Sequence, residues 1–212
     1  MIYKKIIFIL TMFTYLFVPA LAVQKGIVEF DDKRIDYTVI NADTLLQEAD
    51  SYFDKYEETN EKKYVTTAMA KYYILTKINP LDIYSTIQLA RTYDATKKDR
   101  YAKKYFNIGL EINKNDPYTS YYYAEFYNSR CDYKRALRYY KKAYDSGYSE
   151  LYDLNLKIAT IYEKFADLSK AKYYYEKANS IKYSDNIKNK IVEIETLNYD
   201  KSEYYGSKKQ WN

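Results

Sequence analysis

Three short segments, LARTY (89–93), YAEFY (123–127) and IATIY (158–162), share the pattern that decides the fold. Each contains an alanine followed three positions later by a tyrosine, and successive copies lie 34 and 35 residues apart. A fixed period of this length is typical of a repeat protein in which each copy forms one structural unit. The residues of this first pattern are Ala90, Ala124, Ala159, Tyr93, Tyr127 and Tyr162.

A second pattern begins twelve residues after each of these alanines. It consists of another alanine, an aromatic residue four positions further on, and a small residue three positions beyond that. Because five spaced positions agree in three copies, the similarity is not plausibly a product of chance. The residues of the second pattern are Ala102, Ala136, Ala171, Phe106, Tyr140, Tyr175, Gly109, Ala143 and Ala178.

An earlier copy of the repeat is present but stretched. Ala68 and Tyr72 keep the second pattern, 34 residues before its next copy. The matching pair of the first pattern, Ala49 and Tyr52, lies seven residues too early. We expect the extra residues near EETNEKK (57–63), as a charged loop between the two helices of this unit.

Two helices per unit explain the pattern physically. The chain has only four glycines and three prolines in 212 residues, which favours long helices joined by short loops. Small residues at fixed positions let helix backbones approach closely, and large aromatic residues fill the grooves between the helices. Since neither helix can bury its apolar face alone, successive units must stack.

The spacing resembles that of the tetratricopeptide repeat (TPR) family. The stretch CDYKRALRYYKKAYDSGY (131–148) is similar to the second helix of that repeat with its entry turn, and KINP (77–80) is similar to its repeat-ending proline. There are two departures: Cys131 stands where these repeats often have glycine, and only Pro80 matches the terminal proline well. The resemblance implies an all-α fold, a right-handed superhelical solenoid of antiparallel helix pairs.

The resemblance also implies the domain boundaries. A capping helix is expected over 184–198, because Ile187, Ile191 and Ile194 share one helical face. About four repeats are expected before it, at roughly 41–80, 83–116, 117–150 and 152–183.

The segments that flank the repeats have patterns of their own. Residues 23–40 contain two β-prone runs around a polar DDKR turn, and we expect either a hairpin or an extended arm. Asn41 or Asp43 is expected to cap the first helix. Residues 199–212 are polar, and we expect a flexible tail in which Trp211 is solvated.

The N-terminal segment has the features of a secretory signal peptide. Lys4 and Lys5 precede an apolar stretch from Ile6 to Val18, and small residues follow up to Ala22. This pattern predicts cleavage near Ala22 and export, with the mature protein periplasmic or secreted. The alternative is an uncleaved membrane anchor, because a slightly longer apolar segment would span a bilayer.

Composition argues against several classes of function. The chain has no histidine, the commonest general base and metal ligand. Its one cysteine, Cys131, can form neither an internal disulfide nor a thiolate cluster for zinc, so it is either an exposed thiol able to form an intermolecular disulfide or incidental. Loss of residues 1–22 lowers the formal charge from +5 to +3, and the lysines are interspersed with acidic residues. We predict no cofactor, no metal and no nucleic-acid partner.

The stretch YTSYYYAEFY (118–127) divides into two faces at the helical angle of about 100° per residue. Tyr123 and Tyr127 belong to the repeat and are expected in the core, whereas Tyr118, Tyr121 and Tyr122 point the opposite way. In the TPR family the first helix of each pair lines a concave groove, so the resemblance implies that this second face binds a partner. The groove residues that it implies are Tyr84, Ile87, Arg91, Asp94, Tyr118, Tyr121, Tyr122, Glu125, Asn128, Leu156, Thr160 and Glu163, with Gln88, Asp153 and Lys157 beside them.

The predicted function is a non-catalytic, exported scaffold that binds a protein or peptide of the cell envelope in this groove. The carboxylate clamp of some TPR proteins is not predicted, because acidic residues interrupt its basic set. Three other interpretations stay open: the tyrosines only pack against neighbouring helices, they bind carbohydrate, or paired carboxylates such as Glu125 and Glu163 serve a cell-wall enzyme. The enzyme is the least favoured, because no phosphate loop or nucleophile motif is present.

Overall fold

A computed structural model describes residues 24–30, 33–39 and 41–199. The predicted signal peptide (1–22) and the polar tail from residue 200 onward lie outside the described residues. Two strands, β1 (Gln24–Phe30) and β2 (Lys33–Val39), form an antiparallel pair. The chain is largely helical from Ala42 on.

The helices of the described part pack as antiparallel pairs, which confirms the predicted all-α fold class. The chain divides into two compact units, residues 1–85 and 86–212, and the division falls within the third helix. A π-helical segment, Tyr144–Tyr148, directly follows the sixth helix. The helices are α1 (Ala42–Thr59), α2 (Lys62–Ile78), α3 (Ile83–Ala95), α4 (Asp99–Ile112), α5 (Pro117–Asn128), α6 (Tyr133–Ala143), α7 (Tyr152–Lys164), α8 (Leu168–Ile181) and α9 (Asp185–Tyr199).

The residues that define the repeat form the core. All six alanines of the three copies in α3 to α8 that start each pattern are completely buried, so the backbones of paired helices meet there. The aromatic residues of the patterns are at most 8% exposed. Gly109 completes this packing, because a Cβ atom at that position would lie 2.6 Å from Cδ1 of Ile87.

Stacked tyrosines join the two helices of each pair in residues 86–199. The tyrosine of the first pattern lies nearly parallel to a tyrosine of the second helix, with ring centroids 5.5–5.7 Å apart and interplanar angles of 2–15°. Such contacts stabilise beyond the area that they bury. The pairs are Tyr93 with Tyr105, Tyr127 with Tyr139, and Tyr162 with Tyr174.

The hairpin packs on α2 within the unit of residues 1–85. Tyr37 covers Gly26 across the two strands, since a Cβ atom at Gly26 would lie 2.6 Å from the Tyr37 hydroxyl. The same tyrosine packs against Ile74, a buried residue of α2. Of the two predicted capping residues, Asn41 caps α1: its side chain accepts a hydrogen bond from the backbone N–H of Asp43 at 2.8 Å.

The charged stretch EETNEKK is not a loop, which corrects the prediction. Helix α1 continues to Thr59 and α2 starts at Lys62, so only two residues connect them. The extra residues therefore lengthen α1. Their charged side chains are exposed, as on the solvated face of a helix. A charged composition is common to such a face and to a loop, so composition alone does not distinguish the two. In α1 the core aromatic residue beside Ala49 is Phe53, and Tyr52 is half-buried.

The π-helical segment coincides with a change in repeat length. The interval between copies grows from 34 to 35 residues, and the additional residue falls between Ala143 and Ala159. A π-helical turn accommodates one extra residue in a helix, and Tyr144–Tyr148 lies in this interval. Gly147 in this segment has a φ of 125°, which only glycine adopts readily.

The turn between the helices of each pair is the same in three repeats. Lys97, Cys131 and Ala166 have φ angles of 60°, 58° and 56°, in the left-handed region. Each donates its backbone N–H three residues back, and the following residue donates five residues back, which is a Schellman motif. Glycine is the usual residue at this position, so each of these side chains strains the backbone.

We predict that glycine at these three positions stabilises the fold. The triple variant Lys97→Gly, Cys131→Gly, Ala166→Gly should raise the free energy of unfolding by about 2 kcal/mol, because the relief of left-handed strain exceeds the entropy that glycine adds to the unfolded chain. Chemical denaturation measures the change. Lys104→Gly, in the interior of α4, is the control and should destabilise by ~0.7 kcal/mol. A triple variant no more stable than the wild type would refute the prediction.

Candidate partner-binding surface

Helix α5 divides into the two faces that its sequence predicts. Tyr123 and Tyr127 are 3% and 7% exposed, and the Tyr127 hydroxyl donates a hydrogen bond to the Tyr123 oxygen at 3.2 Å. Tyr118, Tyr121 and Tyr122 are half-buried on the other side of the helix. The side of α5 that carries Tyr123 and Tyr127 therefore belongs to the core. The second side, which carries Tyr118, Tyr121 and Tyr122, is the candidate surface.

The tyrosines of this second side form a cluster of rings that meet edge to face. Tyr122 lies 4.7 Å from Tyr118 and 5.2 Å from Tyr121 between ring centroids, at interplanar angles of 68° and 88°. Tyr148, from the π-helical segment, lies 6.4 Å from Tyr121. The Arg91 guanidinium of α3 covers the Tyr122 ring at 4.3 Å, a cation–π contact. We call Tyr118, Tyr121, Tyr122 and Tyr148 the tyrosine cluster.

Three phenol groups of the tyrosine cluster are available as hydrogen-bond donors. Within the residues that the structure describes, the hydroxyls of Tyr121, Tyr122 and Tyr148 make no hydrogen bond to protein. Burial raises the pKa of Tyr121 and Tyr148 above the usual value for tyrosine, so both keep their protons at neutral pH. A half-buried donor without a partner is a place where a ligand acceptor gains a hydrogen bond.

Tyr148 is not among the groove residues that the sequence predicts. It follows Gly147 in the π-helical segment, outside the helical periodicity that assigned the other three tyrosines. The available signal was the extra residue in the repeat, which marks an irregular segment at this point but does not tell which way its side chains point.

Three acidic residues of the predicted groove are paired within the protein, whereas Asp153 beside them is exposed and makes no ion pair among the described residues. Asp94 accepts from Arg130 at 2.7 Å, Glu125 from Lys157 at 2.9 Å, and Glu163 from Lys190 at 2.7 Å. The last two pairs join α5 to α7 and α7 to α9. The charges on this side of residues 86–199 are therefore largely compensated before any ligand arrives.

Ile87 is not a groove residue, which corrects the prediction. Its side chain is completely buried, because Cδ1 fills the space above Gly109. Its neighbour Gln88 is also buried, at 5% exposure, and accepts a hydrogen bond from Arg91 at 2.7 Å. The accessible face of α3 is thus narrower than a helical wheel of its sequence implies, because Ile87 and Gln88 do not belong to it.

The other predicted groove residues are found in different settings. Tyr84 belongs to the unit of residues 1–85, where it is 37% exposed and donates to Asp50 at 3.1 Å. Asn128, Leu156 and Thr160 are half-buried in the unit of residues 86–212. The Thr160 hydroxyl donates to the backbone of its own helix at 2.8 Å.

A phenol–carboxylate pair recurs in the repeats. Tyr72 donates its hydroxyl to Asp50 at 2.6 Å, and Tyr140 donates to Glu125 in the equivalent place, directly after the first alanine of the repeat. Where the second helix has Phe106 instead, the equivalent residue is Arg91. In the last copy Thr160 follows the first alanine, and Tyr175 donates instead to Glu163, four residues after that alanine, so the pair recurs without one fixed spacing.

Glu163, one member of the carboxylate pair in the alternative enzyme interpretation, is held by two hydrogen-bond donors. Glu163 accepts from Tyr175 at 2.7 Å as well as from Lys190. Burial acts to raise its pKa, but these two hydrogen bonds outweigh burial and hold the pKa below its usual value. A general acid requires a raised pKa. Both carboxylates form ion pairs with lysines of neighbouring helices.

Neither a metal site nor a membrane-spanning helix is found among the described residues. No group of acidic or cysteine side chains among them is arranged to hold a metal ion. No helix within them combines the length and apolar character needed to cross a membrane. Cys131 is exposed in its turn, and its role stays a prediction.

We predict that the phenol–carboxylate pair is a main support of the second helix. Tyr140→Phe should lower the free energy of unfolding by about 1.5 kcal/mol, because it removes a hydrogen bond to a charged acceptor. Tyr72→Phe should lower the free energy of unfolding by a similar amount, because Tyr72 makes the equivalent hydrogen bond to Asp50. Tyr101→Phe, at a half-exposed position, is the control and should change stability by less than ~0.5 kcal/mol. Equal effects of Tyr140→Phe and Tyr101→Phe would show that the pair contributes nothing.

Solved structures of other proteins are similar to this chain at low sequence identity. PilF of Pseudomonas aeruginosa aligns with a TM-score of 0.62 and 15% identity, over 81% of this chain and 76% of that one. MamA aligns with a TM-score of 0.56 and 18% identity, over 72% and 88%. TTC0263, a thermophilic TPR protein of Thermus thermophilus, aligns with a TM-score of 0.56 and 14% identity, over 73% and 81%.

These similarities concern the fold alone. No protein-family model and no curated protein matches the chain. The neighbours are TPR proteins, and they confirm what the repeat spacing predicted: the chain has a TPR-like fold of antiparallel helix pairs.

Proposed function

We propose that this chain is a non-catalytic scaffold that binds a protein or peptide partner on the first-helix side of residues 86–199, after export from the cytoplasm. The observation that carries the proposal is the tyrosine cluster with Arg91. Tyrosine and arginine are the residues most often found at the energetic centre of protein interfaces, because they combine a large contact area with directional donors.

The rigidity of the surface supports the same proposal. The helices that carry the cluster are held by stacked tyrosine pairs and by ion pairs between neighbouring first helices. A partner therefore meets side chains that are already ordered, and binding costs less conformational entropy. A scaffold needs this property, whereas it needs no acid–base group.

Binding of carbohydrate is less well supported than binding of a peptide. A sugar ring stacks on an open aromatic face, but Arg91 covers one face of Tyr122, and the other rings meet Tyr122 edge to face. A peptide uses ring edges, hydroxyl donors and mixed charge together. The same geometry therefore favours a protein partner.

Export is proposed from the N-terminal segment. A charged start, an apolar stretch and a small-residue exit up to Ala22 are the features of a cleaved leader, so we place the mature chain in the periplasm or outside the cell. The partner is then a protein or peptide of the cell envelope.

Site-specific photo-crosslinking of the full chain in its native cells tests the proposal. A photoreactive phenylalanine analogue at Tyr118 should give specific adducts, which mass spectrometry identifies, and Tyr122→Phe, which keeps the ring packing, should reduce their yield at unchanged thermal stability. The same analogue at Tyr173, half-exposed on the second helix α8, is the control and should give few adducts. The intact mass of the recovered chain reports whether residues 1–22 are removed. Equal adduct yields at both positions would contradict the proposed surface.

A further inference from the structure

We infer that the tyrosine cluster recognises a proline-rich segment in the polyproline II conformation. This inference rests on the proposed function, since it names the class of peptide for the same surface. Three observations carry it: the charges around the cluster, its hydrogen-bonding groups and the spacing of its rings.

The charges around the cluster favour a ligand without charged anchor residues. Glu125 is held by Lys157 and by the Tyr140 hydroxyl, and Arg91 lies over Tyr122 and donates to Gln88. A charged ligand side chain that meets these groups would have to break one of these contacts and lose its own hydration. Asp153, exposed beside Tyr121, makes no ion pair among the described residues, so a basic ligand is the alternative that the test must exclude. A proline-rich segment carries no charge in its contact residues, so it binds without disturbing the pairs.

The hydrogen-bonding groups of the cluster match those of a polyproline II backbone. Proline has no N–H, and a polyproline II helix has no internal hydrogen bonds, so its carbonyl groups all point outward as acceptors. Tyr121, Tyr122 and Tyr148 carry hydroxyls that make no hydrogen bond within residues 24–30, 33–39 and 41–199. The tyrosine hydroxyls thus supply donors for a ligand whose backbone has only carbonyl acceptors.

One of the ring spacings, that between Tyr121 and Tyr148, is close to the repeat of this conformation. Polyproline II rises ~3.1 Å per residue, so alternate residues lie ~6 Å apart along the axis. Neighbouring ring centroids in the cluster are 4.7, 5.2 and 6.4 Å apart. The rings meet edge to face, so ring edges and ring faces alternate within the cluster. Aromatic side chains are what proline-rich ligands contact in known recognition modules.

Preorganisation favours the same ligand. A polyproline II segment is already extended in solution, so little entropy is lost when it binds. The cluster is also preformed, as half-buried rings packed on one another. A flexible peptide of the same length lacks this advantage.

Fluorescence anisotropy with the mature chain and labelled peptides tests the inference. A ten-residue proline peptide should bind at least about tenfold more tightly than a glycine–serine peptide of equal length, because it loses less conformational entropy on binding. A lysine-rich peptide is included because Asp153 is exposed on the same side of α7 and offers it a charge partner. A soluble polysaccharide is the fourth probe.

Two double variants, both of which keep the aromatic rings, test the contribution of the hydroxyl groups. Tyr121→Phe with Tyr122→Phe keeps both rings and should weaken the proline peptide by roughly three- to tenfold, through the loss of two donors. Tyr101→Phe with Tyr173→Phe removes two hydroxyls from half-exposed second-helix positions and should leave the affinity unchanged. Since tyrosine to phenylalanine preserves ring packing, both variants are expected to fold.

The outcomes are distinguishable. Equal affinity for the proline and glycine–serine peptides, preference for the lysine-rich peptide or the polysaccharide, or no loss of proline binding in the Tyr121→Phe, Tyr122→Phe variant would each overturn the inference. If crosslinks at Tyr118 to a cell-envelope protein persist while proline peptides do not bind, the scaffold function stands and the ligand class is wrong. If proline binding is lost only in the cluster variant, the inference holds.

Discussion

The stacked tyrosine pair between the two helices of a repeat is the contact on which the rest of the structure depends. Tyr127 and Tyr139 lie parallel, with their ring centroids 5.7 Å apart, and two other repeats have the same pair. The pair forms where completely buried alanines bring the helix backbones together, so the small residues and the rings act jointly. A chain with so few glycines and no internal disulfide gains its order from this packing.

The same packing determines which tyrosines lie in the core and which lie at the surface. Tyr123 and Tyr127 are used by the core, and Tyr72 and Tyr140 donate their hydroxyls to carboxylates. What is left on the first-helix side is the tyrosine cluster, whose rings are packed but whose hydroxyls include three without a protein acceptor in the described part of the chain. Abundant tyrosine is thus found in two settings here, in the core and at the surface, and position in the repeat separates them.

The sequence predicted the helical repeats well because the spacing of small and aromatic residues directly reflects helix packing. It predicted the two faces of α5 for the same reason. The sequence-based predictions were wrong where the outcome depends on three-dimensional packing. Ile87 is buried because Gly109, which lacks a Cβ atom, leaves space for its side chain. EETNEKK is largely helical although its composition resembles that of a loop. The pairing of Tyr139 with Tyr127 was not predicted either. The position three residues after each second-helix alanine is nevertheless tyrosine in all three copies.

A double-mutant cycle on one stacked pair tests the central claim most directly. The free energies of unfolding of Tyr127→Leu, Tyr139→Leu and the double variant are measured by chemical denaturation against the wild type. The account predicts a coupling energy of about 0.5–1.5 kcal/mol, as expected for aromatic rings in contact. Effects that simply add would mean that the two rings contribute independently, and they would contradict the claim that the stack holds the helix pair together.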